Sequence, residues 1–369
     1  MEQKVKVSGT QVAMLLFVFV TSTITVYVPS FTTKEAKESA WLAVSVIPFV
    51  YGYLTLRLVY KLGSYFPELT FYQYCEVILG KLLGKGLGVT YIVAMVITNI
   101  LILREFSDFL TITTLPLTPK IWLLTAIAAL ATYGAYKGLE VIVRAVQFIF
   151  GIYFLASIIT LLLSLPNFQV GRLLPVLDEG VLPIIRGSIA PASWYGQVFV
   201  FSFIFPFVNK PKEIMRKGTI TLVAITIFAI LDVVVTVGVF GVSLTTAYTV
   251  PLWVLAKSIA LGDIVQRVES FFLVFWLCGI FIKAAFFSWI IGLGITQVFG
   301  FKNTKAVLSI TATFEVVIAN SFLRNATLIQ FLVSNVWPSF GIAFCFFIPL
   351  FLLLIARVRK KQRPTPVDK

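Results

Sequence analysis

A chain of 369 residues with 59% hydrophobic and only 12% charged residues is far more apolar than the roughly 45 to 50% of a soluble domain. It reads as a polytopic membrane protein, and ten spans of about 20 residues leave room for short connections but no separate soluble domain. The absence of histidine excludes His metal ligands, His general bases and Ser-His-Asp triads, so an enzyme is not expected.

Lys4 and Lys6 precede an apolar run from Val12 to Val20 with no small-x-small cleavage site after it, which predicts an uncleaved first span. The apolar runs then place spans at residues 10–31, 40–59, 87–110, 119–136, 144–165, 188–208, 218–242, 265–292, 304–322 and 332–356. Thr70 to Gly86 is too polar to span. Its amphipathic period predicts a helix on the cytoplasmic surface. A second short helix, Pro251 to Leu261, is expected to cap the other side.

The net charge of +14 is explained by topology. With the N-terminus inside, inner segments hold 20 of the 30 Lys and Arg residues and outer segments 8, while Arg104 and Lys283 fall within spans. Both termini are therefore expected in the cytoplasm. The basic tail, residues 357–369, acts as a stop-transfer anchor that can touch anionic lipid. Cys75, Cys278 and Cys345 are too few and too scattered for a disulfide framework. The 15% aromatic content suits interfacial belts rather than a nucleic-acid platform. Gly80 to Gly88 lacks the spacing of a phosphate loop, and Asn325-Ala326-Thr327 is a short glycosylation pattern that arises often by chance.

Spans 1 and 6 are the two rich in polar or helix-breaking residues. The first carries Thr21, Ser22, Thr23 and Thr25 before Pro29; the sixth carries Pro191, Ser193, Gly196 and Gln197 before Pro206. Paired interruptions at corresponding places in two five-span halves, 10–165 and 188–356, predict an inverted-repeat transporter with a site at the membrane midplane. In any single span the alternative is that hydroxyls bond their own helix carbonyls and Gly and Pro merely kink it. A charge at bilayer depth costs roughly 2.5 to 3.5 kcal/mol, which singles out Lys283, Asp232 and Glu315. Lys283 either meets a carboxylate, carbonyl dipoles or a ligand, or snorkels to the interface. Asp232 and Glu315 are expected in a polar seam. Arg104, Glu105 and Asp108, near the end of span 3, suit snorkelling as well as function.

Arg104-Glu105-Phe106 with Leu115-Pro116-Leu117-Thr118-Pro119, Gly138-Leu139-Glu140 with Arg144, Leu174-Pro175-Val176-Leu177, Gly196 with Phe205-Pro206-Phe207, and Gln266-Arg267-Val268-Glu269-Ser270 with Trp276 and Lys283 form a specific combination. Along nearly its whole length the chain resembles the B subunit of bacterial spore germinant receptors, a branch of the amino acid, polyamine and organocation transporter superfamily. The resemblance implies an all-α integral membrane protein of ten helices with a leucine-transporter-like 5+5 inverted repeat and broken helices 1 and 6. It further implies a nutrient sensor of the spore inner membrane that needs no cofactor, binds a small germinant such as an amino acid, and works with a membrane A subunit and a lipoprotein C subunit. Carried over by position, its ligand site comprises Thr21, Ser22, Thr23, Thr98, Tyr195, Gly196 and Lys283. Family members often have glycine near the break in span 1, where this chain has Thr-Ser-Thr. An amino acid permease or proton-coupled transporter would use the same pocket, and a purely structural membrane subunit would not need it.

Overall fold

The computed structural model describes residues 6–259, 268–321 and 331–359. Ser8 opens α1 (Gly9–Ala36) with a reciprocal cap: its hydroxyl accepts from Gln11 N–H while the Gln11 side chain accepts from Ser8 N–H. The chain continues through α2 (Val46–Tyr65), α3 (Phe71–Leu79), α4 (Lys81–Thr113), α5 (Lys120–Lys137), α6 (Leu139–Leu163) and α7 (Leu182–Tyr195). After α7 the backbone tightens into 3-10 turns at Gly196–Val200 and Phe205–Phe207. Then follow α8 (Glu213–Ala247), α9 (Pro251–Ser258), α10 (Val268–Phe299), α11 (Thr304–Ser321) and a final helix, α12, over 331–358.

Each predicted span coincides with a helical segment, but among the described residues seven segments are long and apolar enough to cross a membrane. The helices α2, α5 and α11 are not among the seven. Their apolarity is diluted by Arg57 and Lys61, by Lys120 and Lys137, and by Lys305 and Glu315 respectively. The protein is thus an integral membrane protein built of packed helices. Exposed side chains such as Ile97, Phe148, Leu155, Ile227, Phe271 and Phe314 give it the apolar exterior that hydrocarbon requires.

Two expectations need correction. The amphipathic surface helix expected over 70–86 stops at Leu79. Gly80 has φ 91°, a conformation that glycine alone takes without strain, so the residues after it belong to α4. Gly84 then packs so tightly on α3 that an added Cβ would lie 2.7 Å from the Cys75 carbonyl oxygen. The break expected in span 1 is also absent, because α1 is a single helix through Pro29. Its hydroxyls turn inward on the helix: Thr21 donates to Phe17 O at 2.7 Å, Ser22 to Phe19 O at 3.2 Å, Thr23 to Val20 O at 3.3 Å and Thr25 to Thr21 O at 3.1 Å.

The helix α1 is the axis of the bundle, buried for most of its length against α8, α7, α10 and α6. Just before its N-terminal end Val7 bridges the strand-like turn after the 3-10 segment. Val7 N–H donates to Phe207 O at 2.8 Å, and Asn209 N–H donates to Val7 O at 2.9 Å. On the same side Arg359 donates to the Ile78 carbonyl of α3 at 2.9 Å. The glycosylation pattern at 325–327, Gln266-Arg267 and the tail beyond Arg359 lie outside the described residues.

Candidate functional site

The register of α10 sets up the centre. Trp276, Gly279 and Lys283 fall at i, i+3 and i+7, hence on one helical face, and that face lies against α1. Gly279 permits the close approach: a Cβ there would sit 2.9 Å from Ser22 Cβ and 3.1 Å from Tyr153 Cε2. One turn before it, Trp276 Nε1 donates to the Ser22 carbonyl at 3.0 Å. One turn beyond, Lys283 is 1% exposed and its ammonium donates to Thr23 Oγ1 at 2.6 Å and Gln197 Oε1 at 3.0 Å. The same nitrogen lies 4.8 Å from the centroid of the Phe19 ring, within cation–π range.

Lys283 thus joins α1 to the 3-10 segment that follows α7. The snorkelling alternative does not hold, since the ammonium ends in the protein interior. Among the described residues no carboxylate lies within 4.0 Å of it. Among the described residues, neutral oxygens and a ring face are its partners, with no opposite charge at short range. Glu105 is a carboxylate of α4. It is buried, and its Oε1 has no hydrogen-bond partner among the described residues.

An i, i+4 stripe on α1 arranges what surrounds this charge. Phe19, Thr23, Tyr27 and Phe31 follow one another along one face. Toward the C-terminal end of α1 from Thr23, Tyr27 stacks on Phe31 with centroids 5.4 Å apart, and both stack on Trp194 at 6.4 and 6.2 Å. Beyond these rings lies a cavity of about 890 Å³ whose wall includes Phe31, Lys34, Lys37, Arg186, Thr246 and Asn335. Toward the N-terminal end of α1 from Thr23, Phe19 packs against Phe286 and Phe287 at 5.6 and 5.1 Å. The Lys283 centre is therefore closed by aromatic rings on both sides, with a basic-walled cavity on one of them.

The residues expected at the site divide into two groups. Thr23 and Lys283 are in direct contact, and Ser22 reaches the centre through its carbonyl. Thr21 donates to Phe17 O of its own helix, and Thr98 likewise donates to Ala94 O at 2.7 Å. Tyr195 donates to the Val44 carbonyl at 3.3 Å. Gly196 faces Tyr51, whose Cε1 an added Cβ would meet at 2.7 Å. Gln197 and Trp276 complete the centre; the sequence marked each as polar or family-like without assigning it to the pocket. Arg104 is structural: it donates to Asp108 at 3.0 Å and to the Ala319 carbonyl of α11 at 3.1 Å.

Comparison with known proteins agrees with this architecture. Residues 6–329 match the family described as "Spore germination protein". Spore germination protein YndE of Bacillus subtilis (strain 168) is 24% identical over 96% of this chain and 98% of its own. Spore germination protein KB of the same strain is 24% identical over 98% and 97%. Among solved structures, MhsT in complex with L-phenylalanine superposes with a TM-score of 0.65 at 14% identity, over 95% of this chain and 98% of that one. A Na+-coupled sialic acid symporter gives 0.58 at 14% identity, over 92% and 79%. The fold is that of these transporters, the leucine-transporter-like fold. With its family matched from residue 6 to residue 329, the chain belongs to the spore germination proteins.

Proposed function

We propose that this protein is the nutrient-sensing membrane subunit of a spore germinant receptor, and that Lys283 holds the carboxylate of an amino acid germinant. The observation that carries this reading is a buried ammonium bonded to helix α1 and to the 3-10 segment after α7, with no carboxylate within 4.0 Å among the described residues. A ligand carboxylate would replace two neutral hydrogen bonds by a charge-assisted pair. Glu105, with an unpartnered oxygen, is the group suited to the ligand's ammonium, so the two side chains together complement a zwitterion. The cavity beyond Tyr27, Phe31 and Trp194 carries Lys34, Lys37 and Arg186 against Glu35, a basic entrance that attracts carboxylates.

Thr23 takes part through its hydroxyl and Ser22 through its carbonyl. Thr21, Thr98, Tyr195 and Gly196 would enter only if the bundle opens. Signalling arises because the ligand binds one arrangement of α1 and the α7 segment better than another, the sole way a ligand shifts an equilibrium. In this reading the termini face the cytoplasm, residues 10–165 and 188–356 form the two repeats, and A and C subunits receive the signal. The test is thermal stabilisation of the purified full-length protein by a panel of the common L-amino acids, followed by germination of spores carrying Lys283→Met. Stabilisation by at least one amino acid that disappears in Lys283→Met supports the reading; an equal response in both proteins refutes it.

The paired closures, rings outside and the Val7 bridge inside, also suit a permease that opens each side in turn. Uptake of the stabilising amino acid into proteoliposomes separates transport from sensing.

A further inference from the structure

We propose that the groove between α5 and α11 binds one anionic phospholipid, with an acyl chain lying along the two helices and the phosphate at Lys302 and Lys305. The two helices pack against each other, and two cavities open along their seam. The first, of about 650 Å³, is walled by Ala128, Ala129 and Thr132 of α5 and by Ser309, Ala312 and Thr313 of α11. The second, of about 670 Å³, is lined by Lys302, Asn303, Thr304 and Lys305 together with Trp289 and Gly292 of α10. Tyr136, Lys305 and Leu308 border both. The pair therefore forms one recess with an apolar end and a basic end.

At the apolar end the hydroxyls of Thr125 and Thr313 bond carbonyls of their own helices, Ile121 O at 2.8 Å and Ser309 O at 2.9 Å, so neither brings a free donor to the groove. At the basic end the charge is one-sided. No Asp or Glu lines either cavity, and among the described residues no carboxylate lies within 4.0 Å of Lys302 or Lys305. Glu140, two residues beyond Gly138 of the lining, is paired with Arg144. The Lys305 ammonium lies 4.5 Å from the centroid of the Tyr136 ring, which holds it at the junction of the two cavities. Lys137 stands over Tyr133 of the apolar cavity at 5.2 Å and adds to the positive field.

Lys302 and Asn303 fall in the connection between α10 and α11, so the basic end is at a membrane surface and the apolar end runs into the bilayer. From Lys305 to Val317 the groove follows α11 for about 18 Å at 1.5 Å per residue. One leaflet of hydrocarbon is about 15 Å deep. The recess thus has the length of an acyl chain of one leaflet and ends where that chain's phosphate would be. Basic pockets between membrane helices take anionic headgroups in this way. A partner's transmembrane helix would fill only the apolar cavity and leave both ammonium groups without a counter-charge. The site requires only that the chain is a membrane protein, and it is independent of the Lys283 centre.

The full-length protein in detergent is titrated with dioleoyl phosphatidylglycerol, with dioleoyl phosphatidylcholine and with sodium phosphate, and its unfolding temperature is followed. Phosphatidylglycerol should give a saturable rise of about 3 to 5 °C, phosphatidylcholine should need at least a tenfold higher concentration, and phosphate alone should give no rise. Lys302→Gln with Lys305→Gln should abolish the preference between the two lipids, whereas Lys81→Gln with Lys85→Gln, which removes the same charge elsewhere, should keep it. Ala312→Phe, which fills the groove, should weaken both lipids; if it fails to fold, the two lysine pairs decide. Coincident curves for the two lipids would leave the groove to bulk lipid, a second copy or a partner's helix and overturn the assignment. So would an equal rise with phosphate alone, a preference retained without Lys302 and Lys305, or a preference lost equally in the Lys81 and Lys85 control.

Discussion

The first and the sixth predicted spans carry comparable loads of polar and helix-breaking residues, yet one remains a continuous α-helix and the other does not. In α1 the polar residues are hydroxyls, and each can bond a carbonyl three or four residues back without disturbing the helix. After α7 they are Gly196 and Gln197. Glycine lowers helix propensity by about 1 kcal/mol, and the Gln197 amide carbonyl is drawn to an ammonium on another helix. The backbone there takes a 3-10 path. Polarity alone therefore does not interrupt a membrane helix; a polar group whose partner lies elsewhere, beside a residue of low helix propensity, does.

This contrast can be broken in graded steps. The largest stability effect should come from Gly279→Val, which forces a side chain between α10 and α1 where Ser22 Cβ already stands 2.9 Å from the Cβ position. Overpacking of this kind costs about 1 to 3 kcal/mol. Thermal unfolding of the purified variant should fall accordingly, and an unchanged unfolding temperature would mean the two helices are not in contact. Next comes Gln197→Leu, which removes one of two hydrogen bonds to a buried cation, worth about 1.5 to 3 kcal/mol. The ligand concentration for half-maximal germination should shift at least tenfold, and normal sensitivity would detach the 3-10 segment from the site. Thr23→Val removes the other bond and should act in the same direction, with the β-branched shape kept. The smallest effect belongs to Thr21→Val, whose hydroxyl donates to Phe17 O; stability should change by less than about 0.5 kcal/mol. A larger loss would show that Thr21 belongs to the centre after all.

The sequence made the helices legible because apolar runs are long and membranes tolerate little else. Lys283 stood out for the same reason, since a lone cation in such a run is costly. What it concealed were partnerships. Gln197 was visible as a polar residue but not as the group that meets Lys283, and Glu105 stood among charges that suited the interface. Asn99 drew no notice, because one amide in an apolar span is unremarkable until Glu315, 216 residues away, comes within 2.8 Å. The end of the surface helix at Leu79 was missed because an amphipathic period runs on past Gly80, whose positive φ breaks the helix there.

The central claim is that an uncompensated ammonium at Lys283 binds the germinant's carboxylate. Lys283→Met keeps the length of the side chain and removes its charge. Calorimetric titration of the purified variant and the unaltered protein with the amino acid that stabilises the latter tests the claim directly. The account predicts at least a hundredfold loss of affinity in Lys283→Met, corresponding to about 2.7 kcal/mol, with both proteins folded. Equal affinities would contradict it.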